Sequence, residues 1–293
     1  MAYEHPLAYV LGLEGVSLLR AFAGEYGREF TEARIAEIRR LVDEAERVSG
    51  VEVEHVDSVE GYGIWASRYD APDNPAFDFG GAMIRAVAAN LPCGMALDAA
   101  CGTGRVAALM AECGHQVIGV DSSAEMLAVA RERLPKGDFR LGDLRELPVE
   151  SGSVDVAACA LALTHLPELE PVLGEFARAL RPGGQLVIAD VHPEQVARGR
   201  VPTIRRADGT AGRVRSYHHR AGDYVRAALA AGLLVRGCEE PVAPAPTSVP
   251  PRSDDPGPWD AWPWSLGGLA PEAAQTAGSG VPAMILWHFQ RPE

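Results

Sequence analysis

Leu97-Asp98-Ala99-Ala100-Cys101-Gly102-Thr103-Gly104-Arg105 decides the fold, because an apolar run closes on an acidic residue immediately before a glycine-punctuated turn that enters a helix. Without a Cβ, Gly102 and Gly104 let the backbone turn tightly and approach a ligand, and the helix that follows presents unpaired N–H groups at its start. Such a strand, turn and helix form a nucleotide-cofactor site. What matters next is which cofactor.

Two cofactors compete for it. Gly102 to Ala107 satisfies the relaxed dinucleotide fingerprint, and Asp121 lies roughly twenty residues on, as that fingerprint expects. In a dinucleotide fold the helix start faces a pyrophosphate, which an anionic Asp98 at the strand end would repel. S-adenosylmethionine carries no phosphate. Its methionine end has an ammonium, a carboxylate and a sulfonium, so an acid at that strand end can help hold the ammonium, directly or through water. Asp98 therefore favours the sulfonium cofactor over NAD.

Outward from the turn, apolar runs alternate with amphipathic ones. Strands are predicted near 95–98, 116–120, 138–141, 154–160 and 184–190, with helices near 104–113, 123–133 and 168–180. This alternation means an α/β fold, a parallel sheet with helices on both faces. Helix 168–180 ends at Arg181-Pro182-Gly183-Gly184, where proline bars continuation. A helix over 221–231 and strands near 233–239 and 283–290 follow, the sense of the last strand being open at this level. Upstream, Pro6 to Ser49 reads as two or three helices. The clearest runs from Thr31 as N-cap through Ile35, Ile38, Leu41 and Val42 to a stop at Ser49-Gly50. Between Pro241 and Pro282 an insertion carries Trp259, Trp262 and Trp264, which either anchor it on a core or close as a lid over the substrate.

With these motifs in order, the chain resembles the class I S-adenosylmethionine-dependent methyltransferases, in the small-molecule group related to the ubiquinone/menaquinone enzymes, over roughly Tyr62 to Leu234. LDAACGTGR (97–105) is similar to the family's first motif and VIGVDSSAEML (117–127) to its second strand. FRLGDLRELPVESGSVDVAACALALTHL (139–166) resembles the next two strands, and LRPGGQLVIAD (180–190) the turn and fifth strand. The resemblance implies a doubly wound, mostly parallel seven-stranded sheet with an antiparallel last strand. An N-terminal helical segment (1–60) would precede a cofactor domain (61–293) that contains 241–282 as a loop or lid. It also implies roles for residues: Asp121 on the ribose hydroxyls, Asp143 on the adenine amino group, Leu144 against the ring, and Asp98 at the methionine end. Ala100, Gly102, Ser122, Met126, Ala160 and His165 complete the expected cofactor contacts. Gly61 to Asp70 resembles the segment folded over the methionine end, where Tyr69 or Trp65 would face the sulfonium and Arg68 the cofactor carboxylate. The departure is Ala99-Ala100 where the family more often has Leu-Gly; a positive φ at Ala100 would carry strain.

Methyl transfer is an in-line displacement, so alignment of nucleophile, methyl carbon and sulfur comes before acid–base help. Ligands of an open α/β sheet lie at the carboxyl ends of its strands, which puts two histidines near the methyl group. His192 is the first candidate base and His165 the second. Against these, His192 before Pro193 serves equally as a strand cap, and His165 as packing beside the cofactor. His192, His218 and Tyr224 are the expected substrate-facing residues, although His218 and His219, being adjacent, point opposite ways. The expected reaction is methylation of an O, N or C nucleophile on a small metabolite of specialised metabolism. The alternative is a cofactor-binding fold used for a non-methylating reaction such as a cyclisation.

Composition narrows the partners. A formal charge of −13 over 293 residues argues against nucleic acid, whose phosphates are bound by clustered Lys and Arg. Five cysteines with no C-x-x-C pair suit reduced thiols and a cytoplasmic location. No run approaches about 18 apolar residues, so no membrane span is expected, and no signal pattern opens the chain. The absence of H-E-x-x-H spacing leads us to expect no catalytic metal. The N-terminal helices (1–60) either pack on the core or serve as a lid or a homodimer surface.

Overall fold

A computed structural model describes the chain except residues 45–47, 71–75 and 245–247, and the side chains of 76–79. The chain opens with β1 (Ala2–Glu4), α1 (Pro6–Phe22), α2 (Arg28–Asp43), β2 (Val51–Val56), α3 (Ser58–Trp65) and α4 (Ala76–Ala89). An alternating run follows: β3 (Met95–Ala99), α5 (Arg105–Glu112), β4 (Gln116–Asp121), α6 (Ala124–Arg133), β5 (Asp138–Leu141), β6 (Val154–Ala160), α7 (Glu170–Ala179) and β7 (Leu180–Val191). The chain then forms α8 (Pro193–Ala197), β8 (Thr203–Arg205), β9 (Ala211–Val214), α9 (Ala221–Ala230), β10 (Leu234–Glu239), α10 (Pro271–Gly278) and β11 (Met284–Gln290). Two compact units result. The first is Met1–Val56, Gly199–Val214 and Ala243–Val281; the second is Asp57–Arg198, Arg215–Val242 and Pro282–Glu293.

The second unit holds a seven-stranded sheet in the order β10-β11-β7-β6-β3-β4-β5. Strands β3 to β7 pair in parallel, and β11 runs antiparallel to both β7 and β10. This is the doubly wound arrangement expected from the motifs, with the antiparallel ending. Its central strands bury both faces, which is why β3 and β6 read as nearly unbroken apolar runs. Period-two alternation sorts their side chains into two layers. Leu97, Cys159, Leu186 and Ile188 pack with Phe176 of α7 and Tyr224 of α9. Ala96, Ala158 and Val187 pack on the opposite face with Ile84 of α4 and Met110 of α5. The chain turns from β3 outward through β4 and β5, then returns to β6 on the other side. The carboxyl ends of β3 and β6 therefore flank the crevice where ligands of such sheets lie.

The first unit packs α1, α2 and α10 with a four-stranded sheet ordered β1-β2-β9-β8. Trp259 and Trp262 are buried in its core with Val10, Leu13, Leu41 and Val53, and the Trp259 indole donates to the Ile204 carbonyl at 2.8 Å. Trp264 is exposed. Within this unit, then, two of the three tryptophans anchor the insertion. Several expectations are corrected here. Helix α2 starts at Arg28 with Gly27 at the N-cap, and Thr31 lies inside it, its hydroxyl donating to the Gly27 carbonyl at 3.1 Å. The helix ends at Asp43, and part of the stretch toward the expected stop at Ser49-Gly50 lies outside the described residues. The small sheet was not foreseen, because its strands are short and β2 finds its parallel partner in the distant β9. The same pairing sets the unit boundary after Val56 rather than at 60. Burial of Trp259 and Trp262 beside α1 and α2 residues places 243–281 in this unit and not in the cofactor domain.

Candidate cofactor and substrate cleft

The turn after β3 is built on three left-handed residues, Ala100 (φ 58°), Gly102 (φ 50°) and Gly104 (φ 79°). At Gly104 a Cβ would also come within 3.1 Å of the Ala130 Cβ, so glycine lets α5 approach α6. At Gly102 a Cβ would meet nothing within 4 Å; there the backbone angle and the open face matter. Ala100 adopts the conformation that costs an L-residue about 1–2 kcal/mol. The strain anticipated from its sequence is present.

Three acids stand at or just beyond the carboxyl ends of the adjacent strands β3, β4 and β5. Asp98 is buried, and its Oδ2 accepts from the Ala107 amide in the first turn of α5 at 2.7 Å. Burial pushes its pKa up to about 7. The helix start that a pyrophosphate would need is thus occupied by the protein's own carboxyl. Asp121 accepts from the Gly102 amide through Oδ2 (2.7 Å) and from the Ser123 amide through Oδ1 (2.8 Å). Burial raises its pKa, and those backbone donors oppose the rise. Asp143 is held by Arg145, whose amide and Nε donate to Oδ1 and whose Nη2 donates to Oδ2 at 2.6 Å. That contact keeps Asp143 below the usual carboxylate range.

A cleft of about 350 Å³ opens above these residues. Tyr69, Ala100, Gly102, Asp121, Ser122 and Met126 line it, as do Asp143, Leu144, Ala160 and His165. Asp98 lines an adjoining cavity of about 130 Å³ that shares Tyr69, Ala100, Gly102 and Ala160 with the cleft. These expected cofactor residues, Trp65 and Arg68 excepted, are therefore brought together. The residues fit the group: an open glycine turn, acids at three strand ends and two adjoining cavities. Tyr69 is positioned by its neighbour Asp70, whose carboxylate accepts from Thr103 Oγ1 (3.0 Å) and Arg133 Nη2 (2.6 Å). Trp65 and Arg68 line neither cavity; Trp65 sits edge-on to Tyr62.

His165 follows β6 on a short 3-10 turn pinned by Asp190, whose Oδ2 accepts from the Thr164 amide at 2.6 Å. Its Nδ1 lies 2.7 Å from the Arg215 carbonyl and its Nε2 2.9 Å from the Tyr62 hydroxyl. A carbonyl only accepts, so Nδ1 carries the proton and Nε2 accepts from Tyr62. Burial lowers the His165 pKa and favours this neutral form. Tyr62, not singled out from the sequence, is the aromatic centre of the site, edge-on to Tyr69, Trp65 and His165.

The other three residues are placed elsewhere. His192 lines neither cavity; its Nδ1 accepts from the Glu194 amide at the start of α8 (3.2 Å), leaving Nε2–H to donate to Glu240 (3.0 Å). Both nitrogens are engaged, Nδ1 in capping α8 and Nε2 on Glu240. Tyr224 is buried in the core, stacked on Trp287, with its hydroxyl donating to Asp190 at 3.3 Å. His218 is exposed and outside the lining, and His219 turns inward to the Leu166 carbonyl. The residues of this segment that do reach the cleft are Arg215 and Tyr217, two apart and of opposite parity to His218.

Fold and cleft together define a doubly wound α/β unit with a cleft at the carboxyl ends of its strands, the place where such sheets take nucleoside-derived cofactors. Residues 97–188, about a third of the chain, match the family described as a methyltransferase domain. A malonyl-[acyl-carrier protein] O-methyltransferase of Pectobacterium atrosepticum is 40% identical over 93 residues, covering 32% of this chain and 37% of the relative. Among solved structures, an S-adenosylmethionine dependent methyltransferase from Mesorhizobium loti superposes with a TM-score of 0.51 at 24% identity, over 73% of this chain and 99% of its own. The [4+2]-cyclase SpnF does so at 0.54 and 19% identity, over 82% and 98%. These two likenesses are of fold. The chain spans about a third of the length of the curated relatives it matches.

Proposed function

We propose that the chain transfers the methyl group of S-adenosylmethionine to an oxygen, nitrogen or carbon nucleophile of a small metabolite, in specialised metabolism. The observation that carries this reading is the trio Asp98, Asp121 and Asp143 on adjacent strand ends, with Asp98 closing the helix start to a pyrophosphate. When bound, the cofactor supplies an electrophilic methyl on its sulfonium. Asp121 would hold the ribose hydroxyls, Asp143 and Leu144 the adenine, Asp98 the ammonium, and Tyr69 would turn its ring toward the positive sulfur. His165, rather than His192, is the base. Its Nε2 lone pair can take the Tyr62 proton as the Tyr62 oxygen takes one from a substrate hydroxyl or amine. The Arg215 carbonyl keeps the imidazole in the required tautomer. The five unpaired cysteines support a reducing, cytoplasmic setting.

Calorimetric titration with S-adenosylmethionine, S-adenosylhomocysteine and NAD in parallel tests the reading. Heat from both sulfur cofactors and none from NAD supports it; no heat from either sulfur cofactor overturns it. Methyl-labelled cofactor then separates transfer from the alternative, a cyclisation, in which product forms without label.

A further inference from the structure

Beyond His165 the cleft is lined by Asp57, Ser58, Leu166, Pro167, Arg215 and Tyr217. The acids of the cleft are all engaged. Asp121 accepts from two backbone amides, Asp143 from Arg145, and Asp57 from the Glu60 amide as the cap of α3. Arg145 is neutralised by Asp143 in the same contact. Arg215 differs. Its carbonyl holds His165, yet its guanidinium has no hydrogen-bond or ion-pair partner among the described residues. The Tyr217 hydroxyl has none either, while the Tyr217 amide donates to the Thr164 carbonyl at 2.7 Å and fixes this segment beside the turn that carries His165. Two donors without acceptors thus line the cleft next to the base. In a chain of formal charge −13, an uncompensated cation lining a cleft is a place where an anionic solute is attracted.

We infer that this end of the cleft binds an anionic group of the substrate, a carboxylate or a phosphate monoester, through Arg215 with Tyr217 as a further donor. A planar guanidinium matches either anion with two parallel hydrogen bonds, which fixes orientation as well as position. The substrate is thereby a small acid or a phosphorylated metabolite whose nucleophile reaches Tyr62 and His165 when its anion is anchored. This rests on the reading of the cleft as an S-adenosylmethionine site.

The test uses the whole protein, first titrated with S-adenosylhomocysteine and then, at saturation and constant ionic strength, with inorganic phosphate in one arm and acetate in the other. One anion should bind the saturated protein, phosphate pointing to a phosphorylated substrate and acetate to a carboxylic acid. Arg215→Gln should weaken that binding about ten-fold or more, Arg215→Lys should recover part of it, and Arg236→Gln, at an exposed position on β10, should leave it unchanged. Binding of S-adenosylhomocysteine with no anion response, or equal response in Arg215→Gln, overturns the anion site alone. Failure to bind S-adenosylhomocysteine brings down the cofactor reading and this inference with it.

Discussion

A carboxyl whose pKa sits at about 7, beneath a helix start, changes charge within the pH range in which such a protein is handled. Asp98 should make cofactor affinity pH-dependent. Only its ionised form attracts the ammonium, so binding weakens as pH falls through 7. Between pH 8 and pH 6 the dissociation constant should rise about ten-fold, and Asp98→Asn should bind more weakly but lose most of that slope. Calorimetry at the two pH values checks it; a flat wild-type profile removes Asp98 from the ammonium site. Ala100 offers the opposite kind of experiment. Ala100→Gly relieves a left-handed alanine and should raise the unfolding temperature by a few degrees, about 1 kcal/mol, with little change in cofactor affinity, because the contacts expected there are backbone ones. Asp121→Asn should cost the cofactor about ten-fold or more in affinity while retaining an acceptor for one of the two backbone amides. At this scale the acids were legible in the sequence, since their place at strand ends follows from the motif spacing. His165 was placed by the motif after the fourth strand, but the surroundings of His192 were not legible: a His before Pro at the end of a strand looks the same whether it caps a helix or faces a substrate, and here its Nδ1 accepts from the Glu194 amide at the start of α8.

Among the elements, the segment after α3 matters most to the site. Asp70 ties it to the glycine turn through Thr103 and to α6 through Arg133, with Arg105 at 3.7 Å as a further cation. Partly exposed ion pairs contribute little to global stability, so the latch acts on position. Asp70→Asn should weaken cofactor binding several-fold, through a less well placed Tyr69, and shift the unfolding temperature by only a degree or two; a large thermal loss would make it a structural post instead. The strands β3, β4, β6 and β7 were readable because each holds a run of apolar residues bounded by turn signals, whereas β5, which reads Asp-Phe-Arg-Leu, was placed by its position among the motifs, and the arrangement of the sheet came from the family resemblance. The strands β1, β2, β8 and β9 were not, because each is short, bears polar residues, and becomes a strand only by meeting a partner that local sequence does not name.

Over the whole molecule, the first unit carries its own buried charge. Glu14 is fully buried on α1, its Oε1 accepting from Arg34 at 3.1 Å, while its Oε2 and the Arg34 Nε have no hydrogen-bond partner among the described residues. Burial, with Glu37 and Glu272 nearby, raises its pKa to about 7 against the pull of Arg34. The folded state therefore keeps a proton that the unfolded chain has lost, and stability falls as pH rises from about 4.5 to about 7. In Glu14→Gln that loss is absent. Its unfolding temperature relative to wild type should climb between pH 5 and pH 8 by several degrees, on the order of 2 kcal/mol, and a constant difference would refute the assignment.

The three-part makeup of that unit also sets a timetable. Helix α1 packs on α10, and β2 pairs with β9, so residues up to Val56 have faces that only residues made much later can cover. At ordinary rates of synthesis, roughly 5–20 residues per second, the stretch up to Val56 waits roughly 10–45 s for Val281 to leave the ribosome. During that interval Val10, Leu13 and Leu41 are open to solvent and to other chains, while the whole cofactor turn has already been made. The nascent chain is thus open to aggregation over the stretch up to Val56, and that stretch gives a chaperone a long opportunity to bind.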